Sequence, residues 1–229
     1  MELSRRLNAV ANLVTEGASV ADIGTDHAYI PIYLAENHIS SHIIAMDINR
    51  GPLEKAKEHI LEYGFESMIQ TRLSDGLSGM KPGEADTMIA AGMGGGLIIR
   101  ILQNSPQAVE SVREFILQPQ SEIHKVRAYL NNNGFVITEE DMVEEDGKYY
   151  PMMKAVHGKE KPFSDEELYY GRKLIEKKNP VLRAFLQKEY TVKKEIYDKL
   201  KNQDNERAKK RVREIEEEIK RIQCVSSLF

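Results

Sequence analysis

Short apolar runs bounded by glycine or polar residues alternate, over the first 160 residues, with segments whose apolar positions recur every three or four residues. The runs at residues 19–23 and 43–46 end in Gly24 and Asp47, as buried parallel strands do. The same reading predicts strands at residues 69–73, 87–91, 114–117, 135–139 and 149–156. Helices are expected at residues 5–14, 29–36, 52–63, 96–103 and 122–131. In the third of these, Leu53, Ala56, Ile60 and Leu61 form one stripe, with Pro52 at its start and Gly64 just past its end. Strands separated by helices over this length describe an α/β fold with an open, doubly wound sheet.

Beyond residue 160 glycine becomes sparse and the helical period continuous. Ser164-Asp165-Glu166-Glu167 has the form of a capping box, and Leu168, Leu174 and Ile175 continue its helix. Asn179-Pro180 starts another, with Leu182, Leu186, Tyr190, Ile196 and Leu200 on one stripe. Asp204 is expected to cap a last helix, in which Ala208, Val212, Ile215, Ile219 and Ile222 recur at spacings of 4, 3, 4 and 3, a coiled-coil seam. The polar residues 201–205 predict an antiparallel helical hairpin.

Charge divides at the same place. Residues 1–160 carry 14 Lys and Arg against 23 Asp and Glu, a formal −9, whereas residues 161–229 carry 18 against 13, a formal +5. Two domains are expected, 1–160 and 161–229, with the boundary between Gly158 and Pro162. The net charge of −4 for the whole chain hides this segregation. An acidic average argues against a polyanionic partner, whereas a separate basic arm does not.

Hydrophobic residues make up 41% of the 229, enough for a sizeable core, which excludes wholesale disorder. Cys224 is the single cysteine, so no internal disulfide forms. No run approaches the ~18 apolar residues of a membrane span, and the amphipathic N-terminus lacks a signal-peptide core. A cytoplasmic protein without membrane partners is expected. His38, His42, His59, His124 and His157 show no metal-ligand spacing, so no metal is expected either.

In open α/β sheets ligands bind at the carboxyl ends of the strands. The first strand exits through Asp22-Ile23-Gly24-Thr25-Asp26-His27-Ala28. Asp26 stands where a dinucleotide fingerprint has its second glycine; a carboxylate there repels a pyrophosphate and attracts a sulfonium or ammonium. Its competing role is to cap the next helix. Asp47 ends the second strand, where an acid accepts hydrogen bonds from ribose hydroxyls. Ser74-Asp75-Gly76 follows the third strand and can read an adenine amino group, or serve as a simple Asp-Gly turn. After the fourth come Ala91-Gly92-Met93-Gly94-Gly95-Gly96, whose glycines let the backbone lie against a flat ligand. Met93 is a candidate contact for a base, or a core plug.

These four features, in this order, resemble class I S-adenosylmethionine-dependent methyltransferases. Asp22-Ile23-Gly24-Thr25-Asp26 is similar to their first motif, Asp47-Ile48-Asn49 to the ribose motif, Ser74-Asp75-Gly76 to the adenine loop, and Ala91-Gly92-Met93-Gly94-Gly95 to the fourth-strand motif. The sequence departs from many relatives at Asp26 and Ala28, where they have glycine. DIGTDHAYIP, LSDGL and AGMGG together with a basic helical tail resemble the bacterial tRNA (adenine-22-N1)-methyltransferase family over essentially the whole chain.

The resemblance implies a Rossmann-like methyltransferase domain, S-adenosylmethionine as cofactor, and transfer of its methyl group to N1 of an adenine in the tRNA D-arm. It implies cofactor contacts from Asp22, Gly24, Thr25, Asp26, His27, Asp47, Ile48, Asn49, Ser74, Asp75, Gly76, Gly92 and Gly94, and catalytic roles for Asp22, Asp26, His27 and Met93. Lys193, Lys194, Lys209, Lys210, Arg211 and Arg213 lie off the predicted seam and become an electrostatic arm for tRNA phosphates, with Arg5 and Arg6 near the site. No aromatic interleaving suggests base reading by this arm. A monomer is expected, with dimerisation the competing use of the seam. Another RNA, a protein or a small molecule as methyl acceptor, and a non-catalytic RNA-binding factor, remain alternatives.

Overall fold

Strands β1 (Val20–Ile23), β2 (Ile43–Asp47), β3 (Ile69–Leu73), β4 (Thr87–Gly94), β5 (Glu114–Ser121), β6 (Phe135–Glu145) and β7 (Lys148–His157) form one sheet of order β3-β2-β1-β4-β5-β7-β6. The structure is a computed structural model describing residues 1–229, which divide into two units, Met1–Lys161 and Pro162–Phe229. The first five strands pair in parallel, and β7 runs antiparallel to both β5 and β6. From β1 the chain moves outward through β2 to β3, then returns to place β4 on the other side of β1. This reversal opens a crevice at the carboxyl ends of β1 and β4.

Helices α1 (Arg5–Ala11), α2 (Tyr29–Glu36), α3 (Arg50–Tyr63), α4 (Gly95–Asn104), α5 (Pro106–Ser111) and α6 (Ile123–Asn132) belong to this unit. All four residues of β1 and the first four of β2 are buried, which is why they read as continuous apolar runs. Val20, Ile43, Ile89 and Ile116 of adjacent strands share one core with Ile32 and Leu34 of α2 and Ile60 of α3.

Several boundaries differ from those predicted. Helix α1 stops at Ala11 and passes into turns rather than reaching residue 14. Pro52 is the third residue of α3, whose N-cap is Asn49, while Gly64 ends the helix in the left-handed conformation at φ 74°. Helix α5 was not expected; Pro106 stands in its first turn and supplies the preset φ. Strand β6 extends six residues past the predicted end, because Glu139 faces solvent on this edge strand and the buried Glu140 accepts from Arg127 Nε at 2.7 Å.

The second unit contains α7 (Asp165–Tyr170), α8 (Arg172–Glu176), α9 (Pro180–Leu200) and α10 (Glu206–Ser226). The Ser164 hydroxyl accepts from the Glu167 N–H, and the Glu167 carboxylate accepts from the Ser164 N–H, a complete capping box. The helix expected to run on through Ile175 breaks at Gly171, which takes φ 87°. Asn205, not Asp204, caps α10, its Oδ1 accepting from the Ala208 N–H at 2.8 Å. Asp204 instead pairs with Lys209 at 2.6 Å.

Helices α9 and α10 form an antiparallel hairpin. Tyr197 donates to Glu216 at 3.3 Å, and four residues earlier Lys193 pairs with Glu218 at 2.5 Å. Leu182 and Leu186 of α9 and Ala208, Ile215, Ile222 and Val225 of α10 are buried, whereas Val212 and Ile219 are half-buried. The seam is thus covered within one chain.

Candidate functional site

At the end of β1 the chain turns sharply. Gly24 takes φ +71°, and its N–H and that of Thr25 donate to the Met46 carbonyl of β2 at 2.8 and 2.9 Å. Both amides are therefore consumed in tying the turn to the sheet. His27 and Ala28 then adopt the left-handed conformation in succession, at φ 53° and 56°, which redirects the chain into α2. Ala28 occupies the N-cap without a side-chain bond, so Asp26 does not cap this helix. Its side chain is exposed instead.

Strand β4 continues through the glycine-rich stretch rather than ending in a loop. It bulges against β5 around Met93, where the register shifts, and Gly92 takes φ +78°. The fully buried Gln118 side chain of β5 holds this bulge. Its Oε1 accepts from the Gly92 N–H at 3.1 Å and from Arg6 Nη1 at 2.9 Å. Arg6 also lies over the Tyr150 ring, 5.6 Å from its centroid. Gly95 lets α4 start against β5, since a Cβ there would lie 2.5 Å from the Ser121 carbonyl oxygen.

These elements enclose a cavity of about 420 Å³. Asp22, Asp26 and Asp47 contribute three carboxylates, opposed by one cation, Arg6. Gly24 and Gly92 expose backbone, while Leu7, Tyr29, Ile30, Ala91 and Met93 supply apolar surface and Gln120 an amide. Burial pushes the Asp22 carboxyl up to about 6, and Asp26 and Asp47 reinforce the shift. Asp47 is half-buried and accepts from the Asn49 N–H at 2.6 Å.

Of the other expected site residues, Thr25 is buried behind the turn. The His27 ring stacks on Tyr29 at 5.4 Å and meets His59 at 5.3 Å, with Nε2 3.5 Å from Asp26 Oδ1. Ile48 and Asn49 are exposed on the turn after β2. Ser74, Asp75 and Gly76 do not line the cavity. The Ser74 hydroxyl donates to the Gly76 carbonyl at 2.8 Å and accepts from the Gly79 N–H at 2.9 Å, shaping the loop, and Asp75 is exposed. Gly94 ends β4 beside Ser121. Arg5 is exposed, and its backbone N–H donates to Glu145. Gln118 and Gln120 belong to no motif; the only hint was two amides flanking Pro119 at a strand end.

The cations expected to form an arm have unequal environments. Lys193 is half-buried against Glu218 rather than off the seam, Arg211 pairs with Glu214 and Glu218, and Lys209 with Asp204. Lys194 lies 3.5 Å from Asp198. Lys210 and Arg213 are exposed and have no ion-pair partner. No group of three or more His, Cys, Asp or Glu residues is arranged to hold a metal, and no helix is long and apolar enough to cross a membrane.

The donor set can be tested against the cofactor suggested by the motifs. Three carboxylates around one cavity suit a sulfonium and ribose hydroxyls, and a pyrophosphate would be repelled. Gly92 leaves a cradle in which a Cβ would meet nothing nearer than Arg6 Nη1 at 3.5 Å. The residues present fit S-adenosylmethionine.

Comparison with known proteins agrees. Residues 20–224 match the family model described as tRNA (adenine(22)-N(1))-methyltransferase. The chain is 35% identical over 221 residues to the Bacillus subtilis tRNA (adenine(22)-N(1))-methyltransferase, covering 94% of this chain and 93% of that protein. It is similar to Streptococcus pneumoniae Sp1610 in complex with S-adenosyl-L-methionine, with a TM-score of 0.86 at 32% identity, covering 98% of this chain and 100% of the other. It is also similar to M. capricolum TrmK in complex with S-adenosyl-homocysteine, with a TM-score of 0.85 at 29% identity, covering 100% and 99%.

Proposed function

This chain belongs to the tRNA (adenine(22)-N(1))-methyltransferase family, and on that premise we propose that it methylates N1 of adenine 22 in the D-arm of tRNA. S-adenosylmethionine supplies, when bound, a methyl group on a positively charged sulfur and leaves as S-adenosylhomocysteine. The observation that carries this reading is the convergence of Asp22, Asp26 and Asp47 on one cavity at the switch point of the sheet.

Asp47 would accept hydrogen bonds from ribose hydroxyls, while the exposed Ile48, Asn49 and Asp75 would reach the adenosine moiety from outside the cavity, with Ser74 and Gly76 shaping the Asp75 loop. Asp22, with Gly24 and Thr25 behind it, offsets the sulfonium charge. Gly92 and Gly94 bring β4 backbone alongside, and Met93 presents its thioether to the target base. Adenine N1 is neutral and carries an available lone pair, so alignment with the methyl group supplies much of the catalysis. N1 lies on the pairing edge, so the base leaves its stack to enter the cavity. As N1 bonds the methyl carbon, the adenine gains positive charge, which the carboxylates stabilise. The exposed Asp26 takes the proton from N6, and His27, 3.5 Å away, passes it toward solvent.

Residues 1–161 hold the cofactor and the reacting base, and residues 162–229 grip tRNA through Lys193, Lys194, Lys209, Lys210, Arg211 and Arg213. Arg5 and Arg6 contact RNA at the cavity rim. Because the hairpin covers its own seam, the working form is a monomer. Its place of work is the cytoplasm, where tRNA is matured.

The decisive experiment incubates the protein with an unmodified tRNA transcript and methyl-labelled S-adenosylmethionine, then maps the labelled nucleoside. Label at N1 of adenine 22 is expected, and none in a transcript with guanine at that position. Label confined to protein or small molecules overturns the proposal. Asp26→Asn with full turnover overturns the assigned proton acceptor.

A further inference from the structure

The sequence predicted an arm that holds RNA by charge alone, yet a pocket of about 360 Å³ lies between α9 and α10 with tyrosines in its wall. Tyr190 and Tyr197 are seven residues apart, two helical turns, and share one face of α9 with Lys194 between them. Ile219 of α10 supplies the apolar floor. The two rings differ in their surroundings. Lys194 Nζ and Lys201 Nζ lie over the Tyr197 ring, 4.9 and 5.8 Å from its centroid. Tyr190 is half-buried and carries no such cation. Across the pocket, Lys220 is exposed and has no ion-pair partner.

We infer that this pocket seats one unpaired tRNA base against Tyr190, with the flanking phosphates held by Lys194 and Lys220. The inference rests on the tRNA reading above. An apolar floor, a free aromatic ring and ammoniums at the rim suit a nucleotide, flat and anionic at once. Bases within an RNA duplex are stacked inside, so the ligand is a loop or bulge nucleotide. A docked peptide helix would instead require a row of apolar anchors, whereas Ile219 is the one aliphatic residue in this lining. Glu216, which accepts a hydrogen bond from Tyr197 at 3.3 Å, favours a base carrying an exocyclic amine over uracil.

The test measures steady-state methylation of tRNA by the full chain. Tyr190→Ala is expected to raise KM for tRNA about tenfold, the loss of one base–aromatic stack. The turnover number and the affinity for S-adenosylmethionine stay unchanged, and Tyr190→Phe restores the wild-type KM. Lys220→Ala should reduce the salt dependence of tRNA binding by about one unit of slope. Since the chain has no tryptophan, the Tyr190→Trp variant carries a single tryptophan that can be excited selectively over the tyrosines, and tRNA should quench it. Wild-type KM for Tyr190→Ala with no quenching overturns the pocket while leaving the methyltransferase reading intact. Dissociation of a dimer by Tyr190→Ala reassigns the face to a second copy and also overturns it. Failure of the unaltered chain to bind or methylate tRNA overturns the underlying reading itself.

Discussion

Gly24 and Met93 meet across the ends of β1 and β4: a Cβ placed on Gly24 would fall 2.2 Å from the Met93 Cε methyl. The turn after the first strand and the bulge in the fourth are therefore one wall of the cavity. Gly24 is required twice, for its φ of +71° and for the space the methionine fills.

Gly24→Ala should weaken cofactor binding through both requirements. Shortening Met93 removes only the steric part, so the double variant Gly24→Ala, Met93→Ala recovers part of the affinity. A residual penalty of about 1–2 kcal/mol from the left-handed backbone remains. A double-mutant cycle read by calorimetry checks this; strict additivity of the two substitutions would contradict the contact.

Gln118 is the latch of the site, one buried carbonyl oxygen serving both Gly92 and Arg6. Gln118→Leu leaves the Gly92 N–H and the Arg6 guanidinium without this acceptor, at a cost of about 1–3 kcal/mol in unfolding free energy. The bulge loosens with it, and KM for the cofactor rises. Gln118→Glu keeps the acceptor and faces a cation, so it should be milder. Denaturant titration together with kinetics separates the two variants.

Asp22 sets a pH dependence of defined sign. Burial raises its folded-state pKa to about 6, above the ordinary carboxylate value of 3.8, so the stability it contributes is full below 3.8 and is lost as pH rises through 6. Asp22→Asn is expected to raise the thermal midpoint at pH 8 and to change it little at pH 4. Affinity for S-adenosylmethionine should run the other way, falling below pH 6 as the carboxylate is protonated. In Asp22→Asn this pH dependence of binding is flat.

The arm's cations should divide into two groups. Lys210→Ala and Arg213→Ala, which break no ion pair, lower the salt slope of tRNA binding by about one each. Lys193→Ala breaks the pair with Glu218 and should in addition speed hydrogen exchange along α9 and α10. Equal exchange rates in all three variants would place Lys193 with the free cations.

Ile215 is fully buried in the hairpin. Ile215→Ala should destabilise α9 and α10 by about 2–5 kcal/mol, measured by hydrogen exchange, with the affinity for S-adenosylmethionine unaltered.

Much of this was legible along the chain. Periodicity located all seven strands because the inner ones are buried and the outer ones keep apolar residues on the core side, and Asp22, Gly24, Asp47 and Gly92 stood out because strand ends are few. Helix α5 and the long edge strand β6 were not legible in full, since six residues carry little period and the acids of β6 are accommodated by solvent at Glu139 and by the distant Arg127 at the buried Glu140. Asn205 displaced Asp204 as the cap of α10 because adjacent Asp and Asn are equivalent in a pattern, and only backbone geometry chooses between them.

The sequence by itself determined the alternation of strands and helices, the acidic strand ends and the change of charge near residue 160, because burial period and charge are local properties of the chain. Tertiary structure alone decided that Gln118 holds Arg6 and Gly92 together, that Met93 fills the space over Gly24, and that four of the arm's six cations are occupied by ion pairs. The contacts of Gln118, Met93 and Lys193 join residues from different elements, and such contacts depend on how the strands and helices pack, which no local spacing records.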